Sequence, residues 1–264
     1  MKQFLQRHGA LWLLIGFCFA MGLFLQLRTG LFFAGKNLTN VLEASSFRLL
    51  LAIGMTFIIA AGAIDLSVGA ILSLSAILAA KCMQNGMAVP AAVLLGLLAG
   101  TAMGTLNGAL VHFTGINAFI ITLATSLLYK MRWGHYIMTL GSNPMELRRS
   151  GVRLGPWRIS AFALMGFLSA LAGMIITARL NSAEPNAGLN MEMDAITAVI
   201  MGGTPLHGGQ AALIGTTVAV LLLSSIRNGL TLLRVSSYYQ QLITGVILLC
   251  AVITAELRQR RQRV

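Results

Sequence analysis

The chain has 264 residues, of which 57% are hydrophobic and only 10% are charged, and its mean hydropathy is +0.81. Soluble domains carry about 25% charged residues, so this composition excludes an ordinary soluble enzyme or binding module. The apolar residues come in runs of about 20 rather than in alternation, which favours membrane-spanning helices over a β-barrel. We therefore expect an all-α, polytopic helical membrane protein with a single transmembrane domain over residues 1–264.

The net charge of +12 is concentrated in short loops and at the two ends of the chain. Short loops rich in Lys and Arg stay on the cytoplasmic side, so this charge indicates topology and contact with anionic lipid rather than nucleic acid. Lys2 and Arg7 precede the first apolar run, and the last nine residues contain four arginines, which predicts cytoplasmic termini. The alternative of a cleaved signal peptide is weaker, because no A-x-A site follows. Arg227 and Arg234 are placed in a loop between the last two runs.

Nine apolar runs are candidates for membrane segments, and we expect eight or nine segments, some of them short or broken helices. The runs are Ala10–Leu25, Val41–Ala63, Leu66–Ala80, Val89–His112, Gly115–Tyr129, Ile159–Ala178, Met191–Met201, Ala211–Ser225 and Tyr239–Ala255. Five runs precede the central polar stretch, and an odd number of crossings would place that stretch outside the cell. Gly115–Tyr129 is about 22 Å long as a helix, against a hydrocarbon core of about 30 Å. Either this run does not cross, or a returning helix is missing.

Glycine-rich stretches interrupt the pattern at GAIDLSVGA (62–70) and GGTPLHGG (202–209). Both predict helix breaks at membrane depth, which are tolerated only where the backbone faces protein or a cavity. Asp65, in the first break, is predicted to cap the helix that begins at Leu66, because its carboxylate can accept free amide hydrogens. The alternative for Asp65 is a place in an ion or substrate path.

Charged residues also occur inside the apolar runs. Arg48 is costly in the second run unless its side chain reaches the membrane surface or is paired, and Glu43 is its only nearby partner in the sequence. Glu192 and Asp194 lie at the start of a short run, where acids suit a helix N-terminus.

A row of glycines marks the fourth run. Gly96, Gly100, Gly104 and Gly108 recur every fourth residue and therefore stay on one helix face. Such a smooth face lets another membrane helix approach closely, so these residues predict helix packing rather than chemistry. Asn107 borders this face and is expected to form a hydrogen bond across it.

The central stretch Lys130–Arg158 carries six cations and one acid, Glu146. The positive-inside rule predicts a cytoplasmic loop between N-terminal helices (1–129) and C-terminal helices (159–264). Pro144 is expected to start a short helix within it, which suits docking of a soluble partner, although a solvated connector is the alternative. The chain has no G-x-x-x-x-G-K-[ST], so any ATP would be used by a partner subunit. We expect no cofactor or metal in this chain, since its histidines and cysteines lack metal spacing.

Several stretches together carry a family resemblance that covers nearly the whole chain. They are GAIDLSVGAILSLSA (62–76), GLLAGTAMGTLNGALV (96–111), GHYIMTLGSNPMELRRSGV (134–152), ARLNSAEPNAGLNMEMDAITAVIMGGTPLHGGQAALIGT (178–216) and NGLTLLRVSSYYQQLITGVILL (228–249). The chain resembles the permease subunits of bacterial ABC importers of the ribose, galactose and autoinducer-2 type. The resemblance implies a multi-pass permease of the bacterial inner membrane with about ten helices of about 20 residues. It also implies a second permease subunit in a homo- or heterodimer, a periplasmic substrate-binding protein and a cytoplasmic ABC ATPase.

The resemblance assigns the central stretch to a coupling helix that docks on the ATPase. The matching positions, with the short helix at Pro144, are Gly134, Tyr136, Gly141, Asn143, Pro144, Glu146, Ser150 and Gly151. The sequence departs from the family at His135, Arg148 and Arg149. Family members also carry roughly 50 to 60 more residues between the equivalents of Leu128 and Arg132, enough for an external segment and one returning helix.

The resemblance implies a transport subunit for a sugar or related small polar solute, with no catalytic residues of its own. Candidates for the translocation path are Asp65, Asn107 and Asp194. Three alternatives remain open at this point: a truncated permease that is non-functional or remodelled, an ion-coupled secondary carrier, and an intramembrane enzyme that uses Asp65 and Asp194. The enzyme alternative lacks a GxGD or HExxH signature.

Overall fold

The structure, a computed structural model, describes residues 2–114, 154–205, 208–209 and 211–262. These residues form eight α-helices, with no strand among them. The helices are α1 Lys2–Thr29, α2 Gly35–Ala60, α3 Val68–Gln84, α4 Val89–Thr114, α5 Leu154–Leu180, α6 Met191–Met201, α7 Leu213–Leu232 and α8 Ser237–Gln262. The predicted all-helical class is confirmed.

Five helices within the described residues are long and apolar enough to cross a membrane. They are Leu11–Thr29 of α1, all of α2, Val89–Ala109 of α4, all of α5 and all of α7. α3 and the apolar part of α8 are shorter, and α6 has only 11 residues. This mixture of full and short apolar helices is that of a multi-pass membrane protein.

Pairs of contacts fix the relative directions of the helices. α1 runs parallel to α7, and α2 runs parallel to α6. α2 is antiparallel to α5, and α4 is antiparallel to both α3 and α5. The contacts are Cys18–Val218 and Leu25–Gly229 (α1 with α7), Arg48–Asp194 and Ala60–Gly209 (α2 with α6 and the segment after it), Glu43–Arg179 and Gly54–Met165 (α2 with α5), Ser75–Gly100 and Ala79–Gly96 (α3 with α4), and Gly96–Met174 and Gly108–Ile159 (α4 with α5).

These directions give the bundle two ends. We call the end at which α1, α5 and α7 finish the upper end, and the opposite end, at which α2 and α4 finish, the lower end. α1 begins at the lower end, and the chain returns to that end at Thr114, where α4 finishes. α5 leaves from the same end at Leu154, and α8, joined to α7 by a short turn, finishes there. The four helices α1 to α4 therefore cross an even number of times before the central stretch. The predicted run Gly115–Tyr129 lies outside the described residues and is not included in this number.

Several predicted helix bounds differ from those observed. α6 has the predicted bounds, Met191–Met201. α5 begins at Leu154, so the last part of the predicted loop Lys130–Arg158 is helical. The prediction that Arg227 lies in a loop is wrong, because α7 continues to Leu232 and the Arg227 charge is neutralised inside the bundle.

The hydrophobic core lies where α2 meets α5, α6 and α7. Leu51, Met55 and Ile58 of α2, Met165 of α5 and Val199 of α6 are all fully buried there. The exposed apolar side chains of α1, α4 and α8 lie on the outside of the bundle. The short helix α6 is thus held in the centre, and Asp194 in its first turn is buried inside the protein.

Candidate functional site

The glycines of α4 form a close seam with α5 and α3. A Cβ added at Gly104 would lie 2.9 Å from Cα of Gly166, and one at Gly108 would lie 2.9 Å from Cα of Ile159. At Gly100 the added atom would lie 2.8 Å from Oγ of Ser75. Backbone thus touches backbone along α4, as the spacing of the glycines predicts.

The seam continues towards the upper end at Gly96. A Cβ there would lie 2.9 Å from the carbonyl oxygen of Ser75 and 3.2 Å from Cβ of Ala79. All four predicted packing glycines therefore lie in the interface that holds α3, α4 and α5 as one unit.

Both predicted glycine breaks are present, and they meet each other. α2 ends at Ala60 and α3 begins at Val68, whereas α6 ends at Met201 and α7 begins at Leu213. The Gly209 amide donates a hydrogen bond to the Ala60 carbonyl, with a nitrogen-to-oxygen distance of 3.2 Å. The end of α2 is thereby joined to the second break. Non-helical backbone at this depth requires such protein partners.

Asp65 lies in the first break and is nearly fully buried. Its Oδ1 accepts hydrogen bonds from the Ser67 amide, at 2.8 Å, and from the Ser67 hydroxyl. Nδ2 of Asn107, on α4, donates to the same hydroxyl at 2.7 Å. Asp65 was predicted to be the N-cap of a helix that begins at Leu66, and this is wrong in detail. The helix begins at Val68, Ser67 is its N-cap residue, and Asp65 accepts a hydrogen bond from the Ser67 amide. Two predicted path residues, Asp65 and Asn107, are thus linked through Ser67.

Asp194 lies elsewhere, in a group of charges that we call the ion cluster: Arg48 of α2, Asp194 of α6 and Arg227 of α7. One Asp194 oxygen accepts a hydrogen bond from Nη2 of Arg227. The other lies 3.7 Å from Nε of Arg48, an ion pair longer than a hydrogen bond. Glu43, the expected partner of Arg48, instead pairs with Arg179 at 3.3 Å. That expectation was wrong because the nearest acid in sequence faces a different helix.

Hydroxyl groups extend the ion cluster to a fourth helix. Arg227 donates to Oγ1 of Thr244, on α8, at 3.3 Å. Arg48 donates to Oγ of Ser224, on α7, at 3.3 Å, and to the Ala44 carbonyl, on its own helix, at 3.1 Å. Arg48 lies about 20 Å along α2 from its upper start. A buried charge at such depth needs these partners, since an unpaired one costs several kcal/mol.

The ion cluster binds helices together rather than a substrate in this conformation. It contains two cations and one anion, and Asp194 is 6% exposed. The cavity lined by all three residues has a volume of only about 10 Å³. Ligand pockets typically have volumes of about 300 Å³ or more. The cluster therefore has room for roughly one water molecule and none for a sugar.

A pair of side-chain amides joins α2 to α7 nearer the upper end than the ion cluster. Asn37, on α2, and Asn228, on α7, exchange two hydrogen bonds, each 2.9 Å long. Asn37 also donates to the Phe32 carbonyl at 2.9 Å. This reciprocal pair fixes the register of α2 against α7 near the upper end.

The structure therefore separates the three predicted path residues into two groups. Asp65 and Asn107 belong to the first break, and Asp194 belongs to the ion cluster, so the two carboxylates do not share partners. Sequence reasoning missed the pairing of Arg48 and Arg227 with Asp194. The sequence did contain one indication of this pairing. Arg48 lies within an apolar run, and a cation at such a position is usually paired with an acidic residue inside the protein.

The predicted coupling residues lie outside the described residues. They are Gly134, Tyr136, Gly141, Asn143, Pro144, Glu146, Ser150 and Gly151. Their assignment remains a prediction.

Comparison with known proteins assigns the family. The sequence model of a family described as the permease component of branched-chain amino acid transport systems matches residues 37–128 and 123–252. The ribose import permease protein of Haemophilus influenzae is 33% identical, over 84% of this chain and 85% of the relative. That of Escherichia coli K12 is 34% identical, over 86% and 88%. The D-allose transport system permease protein of Escherichia coli K12 is 32% identical, over 84% and 83%. No solved structure matches significantly.

The alignment lengths show an internal difference from these relatives. The alignment with the Haemophilus influenzae protein runs over 276 positions but contains 84% of the 264 residues of this chain, about 222 residues. About 54 aligned positions therefore have no residue of this chain. The two matches to the family model overlap at residues 123–128. Two such matches are expected when one continuous match is interrupted near Tyr129. The chain belongs to this permease family and is the membrane-spanning permease component of a transport system.

Proposed function

We propose that the chain is the permease subunit of an ATP-driven importer that carries a sugar or related small polyol across a bacterial inner membrane. The observation that carries this proposal is the similarity to permeases named for ribose and allose over more than four fifths of the chain. A permease named for L-arabinose is also similar, at 27% identity over 88% of this chain. A pentose or hexose is therefore the proposed substrate.

The proposed partners follow from the same family. They are a periplasmic protein that delivers the sugar, a second permease subunit, and a cytoplasmic ATPase that uses the ATP. The lower end is the proposed cytoplasmic side, because the basic termini are found there, as are Thr114 and Leu154, which flank the segment that holds most of the basic stretch Lys130–Arg158. The ATPase would dock on the segment around Pro144 to Gly151.

The proposed mechanism uses the two helix breaks. Closure of the ATPase dimer moves the coupling segment, which connects to the lower ends of α4 and α5. The glycine seam makes α3, α4 and α5 one unit, so this motion passes to the first break through Asn107 and Ser67. The breaks at 61–67 and 202–212 then allow the path to open alternately to each side.

Uptake of labelled sugar tests the proposal. The chain is reconstituted with its ATPase and binding protein in vesicles, and ribose, allose, arabinose and galactose are offered in turn. ATP-dependent uptake of at least one of them is expected. Uptake that follows an ion gradient and ignores ATP would indicate a secondary carrier. No uptake of any sugar, with a complex that assembles and hydrolyses ATP, would reject the sugar assignment.

Two substitutions test the coupling segment. Gly151→Asp and Glu146→Arg are expected to abolish uptake while the protein still inserts into the membrane. Binding of the purified ATPase to the permease should be lost in parallel. Wild-type uptake by both variants would remove the coupling role from this segment.

The proposed sidedness has its own test. A cysteine at Met145, in a chain lacking its three native cysteines, should react only with a thiol reagent that reaches the cytoplasm. Reaction with a reagent confined to the periplasm would invert the proposed topology.

A further inference from the structure

The segment 181–190 between α5 and α6, which we call the α5–α6 loop, descends into the bundle from the upper end. Gly188 packs on Gly69, where an added Cβ would lie 2.8 Å from Cα of Gly69. Three residues further along α3, Leu72 packs on Gly173 of α5. Gly173 lies about 10 Å below the end of α5, and Gly69 about 4 to 5 Å lower still. The loop thus reaches about 15 Å below the upper end of α5.

The loop is held at this depth by backbone contacts. The Gly188 amide donates to Oγ of Ser73, on α3, with a nitrogen-to-oxygen distance of 3.0 Å. Asn190 has a φ of 63° and precedes the first residue of α6. Because α6 starts here, its first turn also lies at mid-membrane depth. Asp194 in that turn faces inward, into the ion cluster.

Polar side chains face away from the core at this depth, beside two exposed apolar ones, Leu189 and Met193. Asn186 is exposed, and Asn190 and Glu192 are half-buried. Glu192 lies over the first turn of α3, with its Oε2 2.9 Å from the place of a Cβ added at Gly69. Within the described ranges Glu192 forms no ion pair. By contrast, Leu98 of α4, at similar depth and 58% exposed, belongs to a regular helix whose exposed side chains nearby are apolar.

Lipid cannot cover such a surface. Irregular backbone and a carboxylate without a cation partner are not found against hydrocarbon; they face protein or a water-filled cavity. Leu98 and its neighbours on α4 meet the requirement of a lipid-facing surface, whereas the α5–α6 loop does not. The loop therefore faces either another protein surface or an aqueous space within the assembled permease, and measured water access separates the two.

We propose that Asn186, Asn190 and Glu192 line the translocation path and bind the hydroxyl groups of the transported sugar. This inference rests on the proposed function. Side-chain amides donate and accept hydrogen bonds, and an ionised carboxylate accepts two, a combination that matches adjacent hydroxyls of a neutral polyol. Among the described residues no cation is exposed on this surface, so a neutral substrate is favoured over an anionic one. α6 then carries substrate contacts on one face and the ion cluster on the other.

The first test measures water access, which is independent of transport activity. Asn186→Cys and Leu98→Cys are made in a chain without Cys18, Cys82 and Cys250, and the full complex is placed in nanodiscs. A membrane-impermeant maleimide should label position 186 and leave position 98 unlabelled. Equal, negligible labelling of both positions would overturn the proposal.

The second test measures substrate preference. Glu192→Gln, Asn186→Ala and Asn190→Gly, which keeps the left-handed backbone accessible, are compared with Glu43→Gln, a carboxylate change at the upper surface. Each loop variant should lower kcat/KM for the transported sugar about tenfold and change the ranking among ribose, allose and galactose, while ATP hydrolysis by the complex persists. Glu43→Gln should behave as wild type.

The two proposals fail in different ways. If the wild type transports a sugar and all three loop variants keep its kcat/KM and its sugar ranking, the loop is not the binding surface. If the wild type transports no sugar, the proposed function fails, and a labelled position 186 would still establish an aqueous path.

Discussion

The two halves of the bundle are joined by opposite means. α4 meets α5 through glycines, with backbone against backbone. α2 meets α6, α7 and α8 through the ion cluster, where one carboxylate serves two guanidinium groups and two hydroxyls complete the contacts. The seam depends on the absence of side chains, whereas the cluster depends on their charge.

This difference bears on which interface can move. Glycine contacts are short-ranged, so any separation of α4 from α5 loses them together, and the pair moves as a rigid unit. The ion cluster has one tight link, Asp194 to Arg227, and one longer link of 3.7 Å to Arg48. A long side chain can follow a displacement of its helix. We therefore expect α2 to shift against α6 and α7 more readily than α4 shifts against α5.

The largest expected effect comes from breaking the ion cluster. Asp194→Ala leaves two largely buried guanidinium groups without their shared carboxylate, which should lower the free energy of unfolding by about 3 kcal/mol. Unfolding in mixed micelles measures this. The triple variant Arg48→Met, Asp194→Leu, Arg227→Met should recover most of the loss, because no charge is left unpaired. If Asp194→Ala unfolds like the wild type, the cluster contributes nothing to stability.

The next effect comes from filling the seam. Gly104→Leu forces a side chain against the backbone of Gly166 and should cost about 3 kcal/mol by overpacking. The matched control is Gly16→Leu in α1, where an added Cβ meets nothing within 4 Å. The same unfolding assay should show little change for the control. Equal stability of Gly104→Leu and wild type would contradict a close seam.

A smaller effect is expected from the amide pair that sets the register of α2 against α7. Asn37→Ala removes both hydrogen bonds to Asn228 and should cost about 1 kcal/mol, as measured for side-chain hydrogen bonds between membrane helices. Asn37→Ala combined with Asn228→Ala should cost less than the sum of the single changes. Strict additivity would show that the two side chains do not interact.

The smallest effect is expected from the exposed ion pair between α2 and α5. Glu43→Gln removes the partner of Arg179, and half-exposed pairs of this kind contribute about 0.5 kcal/mol or less. The unfolding free energy at low salt should fall slightly, and the difference should vanish in 1 M salt. A loss comparable with that of Asp194→Ala would mean that the upper pair is shielded from solvent.

Local features of the sequence predicted local structure well. The glycine spacing in α4, both helix breaks and the bounds of α6 follow from the residue pattern over a few turns. The partner of Arg48 could not be found in this way, because Asp194 and Arg227 lie far along the chain and only the fold brings them to α2. Glu43 was nearer in sequence, but it lies higher on α2, level with Arg179.

The path residues show the same limit. Asp65 and Asn107 were marked by their glycine-rich surroundings, and their link through Ser67 follows once α3 and α4 pair. The depth of Asn186 and Glu192 has no local signal, since a polar segment between two apolar runs ordinarily indicates a surface loop. The contacts of Gly188 with Gly69 and Ser73 show that this segment enters the membrane.

Thr114 and Leu154 lie at one end of the bundle, and this placement governs how the family can vary in length. When residues are inserted or deleted between two positions on the same side of the membrane, the helices that follow keep their orientation across the membrane. A shorter chain and its longer relatives can therefore share one orientation of their C-terminal halves. The same position is the natural junction for chimaeras, in which a relative's longer connection replaces that of this chain.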